Sequence, residues 1–106
     1  MFVGVLRITL HVPHAQSLKD KRRVVLKFRD RVRSRFQVSI AEVGAQDKLQ
    51  RAVFGVSVVS SEAAVCDSVL EQVARVAETQ PDAVLTHRET EIVPFGDELY
   101  GGEGGH

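Results

Sequence analysis

Apolar and polar positions alternate from Phe2 to Val12. Phe2, Leu6, Ile8, Leu10 and Val12 share one face with Gly4 in register, while Val3, Val5, Arg7, Thr9 and His11 share the other. Period two over this length, rich in β-branched residues, predicts a strand covered by helices on one side. Pro13 removes a backbone donor and stops the ladder, leaving His14–Gln16 as a connection. The period then changes. Ser17 with Asp20 three residues on resembles a capping box, Asp standing where Glu is usual. Leu18, Val25, Phe28 and Val32, with Val24 at the margin, fall in one arc of a helix that reaches Arg35. Lys21 and Arg35 lie in or near that arc, so their stems are expected to snorkel out of the interface.

Phe36–Val43 reads as a second strand, Gly44–Leu49 as a polar turn and Gln50–Ser60 as a third strand, together an antiparallel hairpin. Gly44 is expected to supply an unusual backbone angle there, and Asp47 a side-chain turn bond. Ser60 or Ser61 is expected to cap a second helix with Glu62 in its first turn. That helix runs to about Thr79 with Val65, Val69, Val73 and Val76 inward, Cys66 and Leu70 flanking them, and Pro81 ending it. Val84–Val93 is a fourth strand, closed by Pro94. The order β-α-β-β-α-β predicts an α+β, ferredoxin-like sandwich over residues 1–94: a four-stranded antiparallel sheet with two helices on one face. Right-handed crossovers place the first and third strands in the centre. Residues 95–106, with five glycines and three acids, are expected to form a disordered tail.

Length and composition narrow the class. The chain has 106 residues, 43% of them hydrophobic and 26% charged, which suits one soluble domain. The apolar N-terminal stretch has no basic flank and alternates, so it reads neither as a signal peptide nor as a membrane span. The single cysteine, Cys66, excludes an intramolecular disulfide and fits a reducing, cytoplasmic setting. Charge changes the picture more. Ser17–Arg35 holds nine cations against Asp20 and Asp30, a local +7, and the net charge of zero leaves −7 for everything else. Arg22, Leu26, Arg29 and Arg33 form a lengthwise stripe at i, i+4, i+7 and i+11.

The stretches VGVLRITLHVPHAQSLKDKRRVV at 3–25 and RFQVSIAEVGAQDKLQRAVFGVSVVS at 35–60, with the second helix, resemble the YlxP-like family of small bacterial proteins, domain of unknown function family 503. SLKDKR and AEVGAQDKLQRA are the more specific segments, and the resemblance covers about positions 2–93. It implies a ferredoxin-like fold and a genomic setting beside translation and ribosome-maturation factors. It carries no catalytic residue set, and the glycine-rich tail lies outside it.

A cationic helix beside a sheet is the electrostatic footprint expected for a polyanion, and arginine forks suit phosphate. Structured RNA, ribosomal RNA or a ribosomal subunit among the partners, is therefore the expected ligand. Lys19, Arg22, Arg23, Lys27, Arg29 and Arg33 are the expected contacts, with Lys48 and Arg51 of the hairpin as auxiliaries. The competing explanation is a solvated face whose cations pair with the acidic second helix and fourth strand. A homodimer formed through the uncovered sheet face, with no nucleic-acid role, is the alternative function, and a small-molecule sensor a third. Base stacking on the sheet is disfavoured because Val53, Val56 and Val58 replace the stacking or apolar positions and Phe54, the one aromatic there, should point inward in register with Val56 and Val58. His11, His14, His87 and His106 show no metal-ligand spacing, Cys66 reads as a core residue, and no phosphate-binding glycine loop or Ser-His-Asp motif is present. Glu42 and Asp47 are weak candidates for paired carboxylates. No cofactor and no enzymatic activity are expected.

Overall fold

Leu6, Ile8 and Leu10 are buried while Val5, Arg7 and His11 are exposed, so the alternation along the first strand separates the two faces of a sheet. The computed structural model describes residues 1–96. Its elements are β1 (Phe2–His11), α1 (Leu18–Arg35), β2 (Ser39–Gly44), β3 (Arg51–Ser60), α2 (Ala63–Glu78) and β4 (Val84–Pro94). The strand order is β2-β3-β1-β4, with every neighbouring pair antiparallel. This is the ferredoxin-like arrangement, with β1 and β3 in the centre as the crossover rule requires. Of the tail expected over 95–106, only Phe95 and Gly96 fall among the described residues. Phe95 donates its N–H to the Met1 carbonyl at 2.8 Å.

One apolar cluster joins the helices to the sheet: Leu6, Ile8 and Leu10 of β1, Phe54 and Val56 of β3, Phe28 and Val32 of α1, and Leu70 and Val73 of α2. Phe28 meets Phe54 edge to face at 5.0 Å between ring centres, an arrangement that the ring quadrupoles favour. Helix α2 lies very close over β1. A Cβ on Gly4 would sit 2.9 Å from Leu70 Cδ1 and 3.0 Å from Cys66 Cβ, so any larger residue there must displace the helix side chains. Cys66 is buried against this contact as a small hydrophobe, as expected.

The elements depart from expectation at five places. Strand β2 starts at Ser39, because Phe36 caps α1, donating its N–H to Val32, and Phe36 and Val38 pack as an extended lead-in. Glu62 is the N-cap of α2 and its side chain caps nothing; the Ser60 hydroxyl instead accepts from Glu62 N–H just ahead of the helix. The buried face of α2 is turned towards Cys66, Leu70, Val73 and Ala77, which leaves Val65 42% exposed. Leu18 is 49% exposed: helical angle places it in the buried arc, but it is the first residue of α1, a turn ahead of the first buried position. In the hairpin, Ala45 and not Gly44 takes the left-handed backbone, at φ 60, and a backbone bond from Lys48 N–H to Ala45 O closes the loop.

Candidate functional site

The cap of α1 forms as its residues suggest, Asp20 N–H donating to Ser17 Oγ at 3.1 Å while the Asp20 carboxylate accepts from Gln16 N–H at 3.2 Å. From that start the helix turns Lys21, Val25, Phe28 and Val32 towards the core and its remaining cations outward. Lys19, Arg22, Arg23 and Lys27 are exposed. The other candidates on α1 are partly engaged. Arg29 is half-buried and pairs with Asp30 at 3.4 Å, its Nε enclosed without a hydrogen-bond acceptor among the described residues. Arg33 Nη2 lies 3.4 Å from the Ile40 carbonyl, against the edge strand β2. Arg31 turns to the other flank and donates to Gln80 Oε1 at 2.8 Å. Arg35 is exposed beside the Phe36 ring, 5.8 Å from its centre.

These contacts bear on two explanations of the charge run. If the run were a solvated face compensated by the acidic half of the molecule, its cations would reach α2 and β4. Among the described residues the ion pairs are Arg7–Glu89, Lys21–Glu42, Arg29–Asp30 and Arg88–Glu71, and none of them joins α1 to either element. Lys19, Arg22, Arg23 and Lys27 make no ion pair among the described residues. Arg23 and Lys27 also border a crevice of about 300 Å³ beside the α2–β4 connection, together with His14, Asp20 and Asp82.

Lys21 does not snorkel. It is 3% exposed, and its Nζ donates to the Ala45 carbonyl at 2.6 Å and lies 3.0 Å from Glu42 Oε2. The Glu42 contact is an ion pair by distance, but its alignment falls short of a hydrogen bond. Glu42 stands opposite Phe54 across the β2–β3 ladder, on the helix-covered side. The lysine thus ties α1 to β2 and to the loop after it. A charge buried in this way costs several kcal/mol, roughly, to desolvate, which the carboxylate and carbonyl offset.

The hairpin candidates stand elsewhere. Arg51 follows the parity of Val53, and pairs with His11 in the ladder, so it belongs to the open face of the sheet, opposite to the one that α1 covers. Lys48 lines a hollow on that open face together with Arg51. The structure therefore divides the eight expected contacts into two groups with the sheet between them. The six on α1 lie on the helix-covered side of the sheet; Lys48 and Arg51 do not join them.

The fold coincides with what comparison of the chain with known proteins returns. The profile of the family described as "Protein of unknown function (DUF503)" matches residues 3–90. The chain belongs to this family. A relative from Bacillus subtilis (strain 168), described as "Uncharacterized protein YlxP", is 39% identical over 89 residues, covering 84% of this chain and 97% of that protein. Among solved structures, the de novo designed protein Foldit4 matches with a TM-score of 0.52 at 10% identity, over 89% of this chain and 98% of that one. A de novo designed protein with a ferredoxin fold, LFR1 1, matches with a TM-score of 0.50 at 14% identity, over 91% and 89% of the two chains. At these identities the designed proteins speak for the fold alone.

The DUF503 match spans both segments that carry the resemblance, SLKDKR and AEVGAQDKLQRA, and the structure joins them: Lys21 belongs to the first, Glu42 and Ala45 to the second. Sequence reasoning placed Lys21 in the apolar arc without finding its partner. The available signal was Glu42, an acid at the same strand parity as buried Ile40. No group of three or more His, Cys, Asp or Glu side chains suited to a metal occurs among the described residues. No described helix is long and apolar enough to cross a membrane.

Proposed function

We propose that the protein binds structured RNA through the outer face of α1, with Lys19, Arg22, Arg23 and Lys27 as the principal phosphate contacts and Arg29 and Arg33 extending the track. One observation carries this reading: those four leading cations are exposed and make no hydrogen bond or ion pair among the described residues, while Glu71 of α2 and Glu89 of β4 pair with Arg88 and Arg7. A rigid helix displaying unpaired cations at regular spacing suits a regularly spaced polyanion. The translation setting implied by the family resemblance favours RNA, ribosomal RNA in particular. The separation of Lys48 and Arg51 from α1 confines the interface to the helix.

The test is filter binding of a ribosomal RNA fragment across a salt series. Engagement of four to six cations corresponds to a slope of log affinity against log salt of about −3 to −5. The triple reversal Arg22→Glu/Arg23→Glu/Lys27→Glu, at three exposed positions, should abolish binding with the fold intact by circular dichroism. Wild-type affinity in that variant would defeat the helix mechanism.

A second reading rests on its own observation. Val59, Val3 and Val93 form one row across β3, β1 and β4 on the open face, with Val59 63% exposed and Val5 in the next row. An apolar row of this kind suits a homodimer packed sheet to sheet. Such a dimer would be insensitive to salt and disrupted by Val59→Asp. Light scattering that finds only monomer in the wild type removes it.

A further inference from the structure

The open face of the sheet is not flat where it approaches the β2–β3 loop. It holds a hollow of about 600 Å³, within the range of small-molecule sites. Its floor is a transverse row of short or flat side chains in register across all four strands: Gly44 opposite Val53, Val53 opposite Thr9, and Thr9 opposite His87. Its end wall is the loop itself. A bulge between Glu42 and Gly44 lets Val43 lie down over the sheet, where a Cβ on Gly55 would meet Val43 Cγ1 at 3.2 Å. The loop is held in that position from the far side of the sheet by the buried Lys21 ammonium on the Ala45 carbonyl. Thus the wall is set by an interaction that a plain hairpin turn does not require.

Around the rim the charge is uneven. Lys48 and Arg51 converge on the hollow and make no hydrogen bond or ion pair through their side chains among the described residues. Arg7 also lines it, with Glu89 already engaged by the Arg7 guanidinium, its Nε donating at 3.1 Å. Asp47 is then the one lining carboxylate left without a cationic partner among the described residues. His87 adds a ring nitrogen on the opposite rim, its Nδ1 3.2 Å from Thr86 Oγ1.

We propose that this hollow is a binding site for a small phosphorylated metabolite. Lys48 and Arg51 hold the phosphate, Arg7 stands beside it fixed by Glu89, and the organic part lies over Thr9, Val43 and Val53. A tetrahedral oxyanion with several acceptor oxygens uses a point-charge lysine and a forked guanidinium together. The hollow exceeds the size of a phosphate alone, and its remaining floor is apolar or small, which suits an organic substituent. This site is separate from the α1 surface and stands whether or not RNA binds there.

The probe is inorganic phosphate, titrated into the full chain at constant ionic strength, with amide shifts followed by NMR and chloride as control. The expected result is saturable binding on the order of millimolar, with shifts confined to residues 43–53 and the facing parts of β1 and β4. Lys48→Ala/Arg51→Ala should weaken it about tenfold or more, and Arg75→Ala on the exposed side of α2 should leave it unchanged. Non-saturating shifts, equal shifts with chloride, shifts centred on α1, or unchanged affinity in the hairpin double variant would each overturn the proposal. The wild-type map alone decides the first three, so the conclusion does not depend on the variants folding.

Discussion

Lys21 shows how one side chain can serve two elements. Its ammonium is enclosed between Glu42 and the Ala45 carbonyl, so removing it strands a carboxylate and a carbonyl beneath α1. Lys21→Met is expected to destabilise the protein by roughly 2–4 kcal/mol, somewhat below the usual cost of breaking a buried pair because Glu42 keeps some access to water. Urea unfolding measures this. The double change Lys21→Met/Glu42→Leu should recover most of the loss, since an apolar pair of similar volume removes the stranded charge as well. A double variant as unstable as the single one would show that the Ala45 contact, not the charge, dominates. Gly4 gives a second residue-scale expectation. Gly4→Ala forces Leu70 and Cys66 of α2 away from β1 and should cost about 1–3 kcal/mol in the same assay.

At the scale of elements, each helix has an apolar stripe that sequence periodicity locates well in spacing and less well in phase. For α1 the stripe of Val25, Phe28 and Val32 is legible because polar residues bound it on both sides. In α2, valines and alanines occur on most of the circumference, so periodicity alone cannot distinguish a face centred on Val65 and Val69 from one centred on Cys66 and Leu70. The close approach at Gly4 selects the second. Val65→Ser should therefore change stability by no more than about 0.5 kcal/mol, whereas Leu70→Ala should cost roughly 2–5 kcal/mol, both read from the denaturant midpoint. Equal costs would mean that the helix is rotated from the position described. The start of β2 was obscured for a related reason: Phe36 and Val38 alternate like a strand but are used to cap α1 and cover the core edge. The left-handed position in the hairpin was hidden by an adjacent glycine that did not use its freedom.

At the scale of the whole molecule, strand order and sheet polarity were readable because alternation, crossover handedness and element order agree. The basic face of α1 was readable as well, since unpaired charge is already a property of the local sequence. The hollow on the open face was not. Arg7, Arg51 and His87 come from three strands far apart in the chain, and only register places them round one floor. The two surfaces lie on opposite sides of the sheet, and the Lys21 contact spans the distance between them.

The separation of charge between α1 and the acidic remainder has a colloidal consequence. With a formal net charge of zero and an isoelectric point near 6.9, the molecules do not repel one another at neutral pH. The basic side of one can meet the acidic side of the next, an attraction whose range is set by the Debye length. Static light scattering should find a negative second virial coefficient in dilute buffer that rises towards positive values as salt is added, so that the protein salts in. Arg22→Glu/Arg29→Glu/Arg33→Glu makes most of the surface one sign and should remove the low-salt attraction altogether. Purification at very low ionic strength would then be where this protein is least soluble, even though its fold is intact.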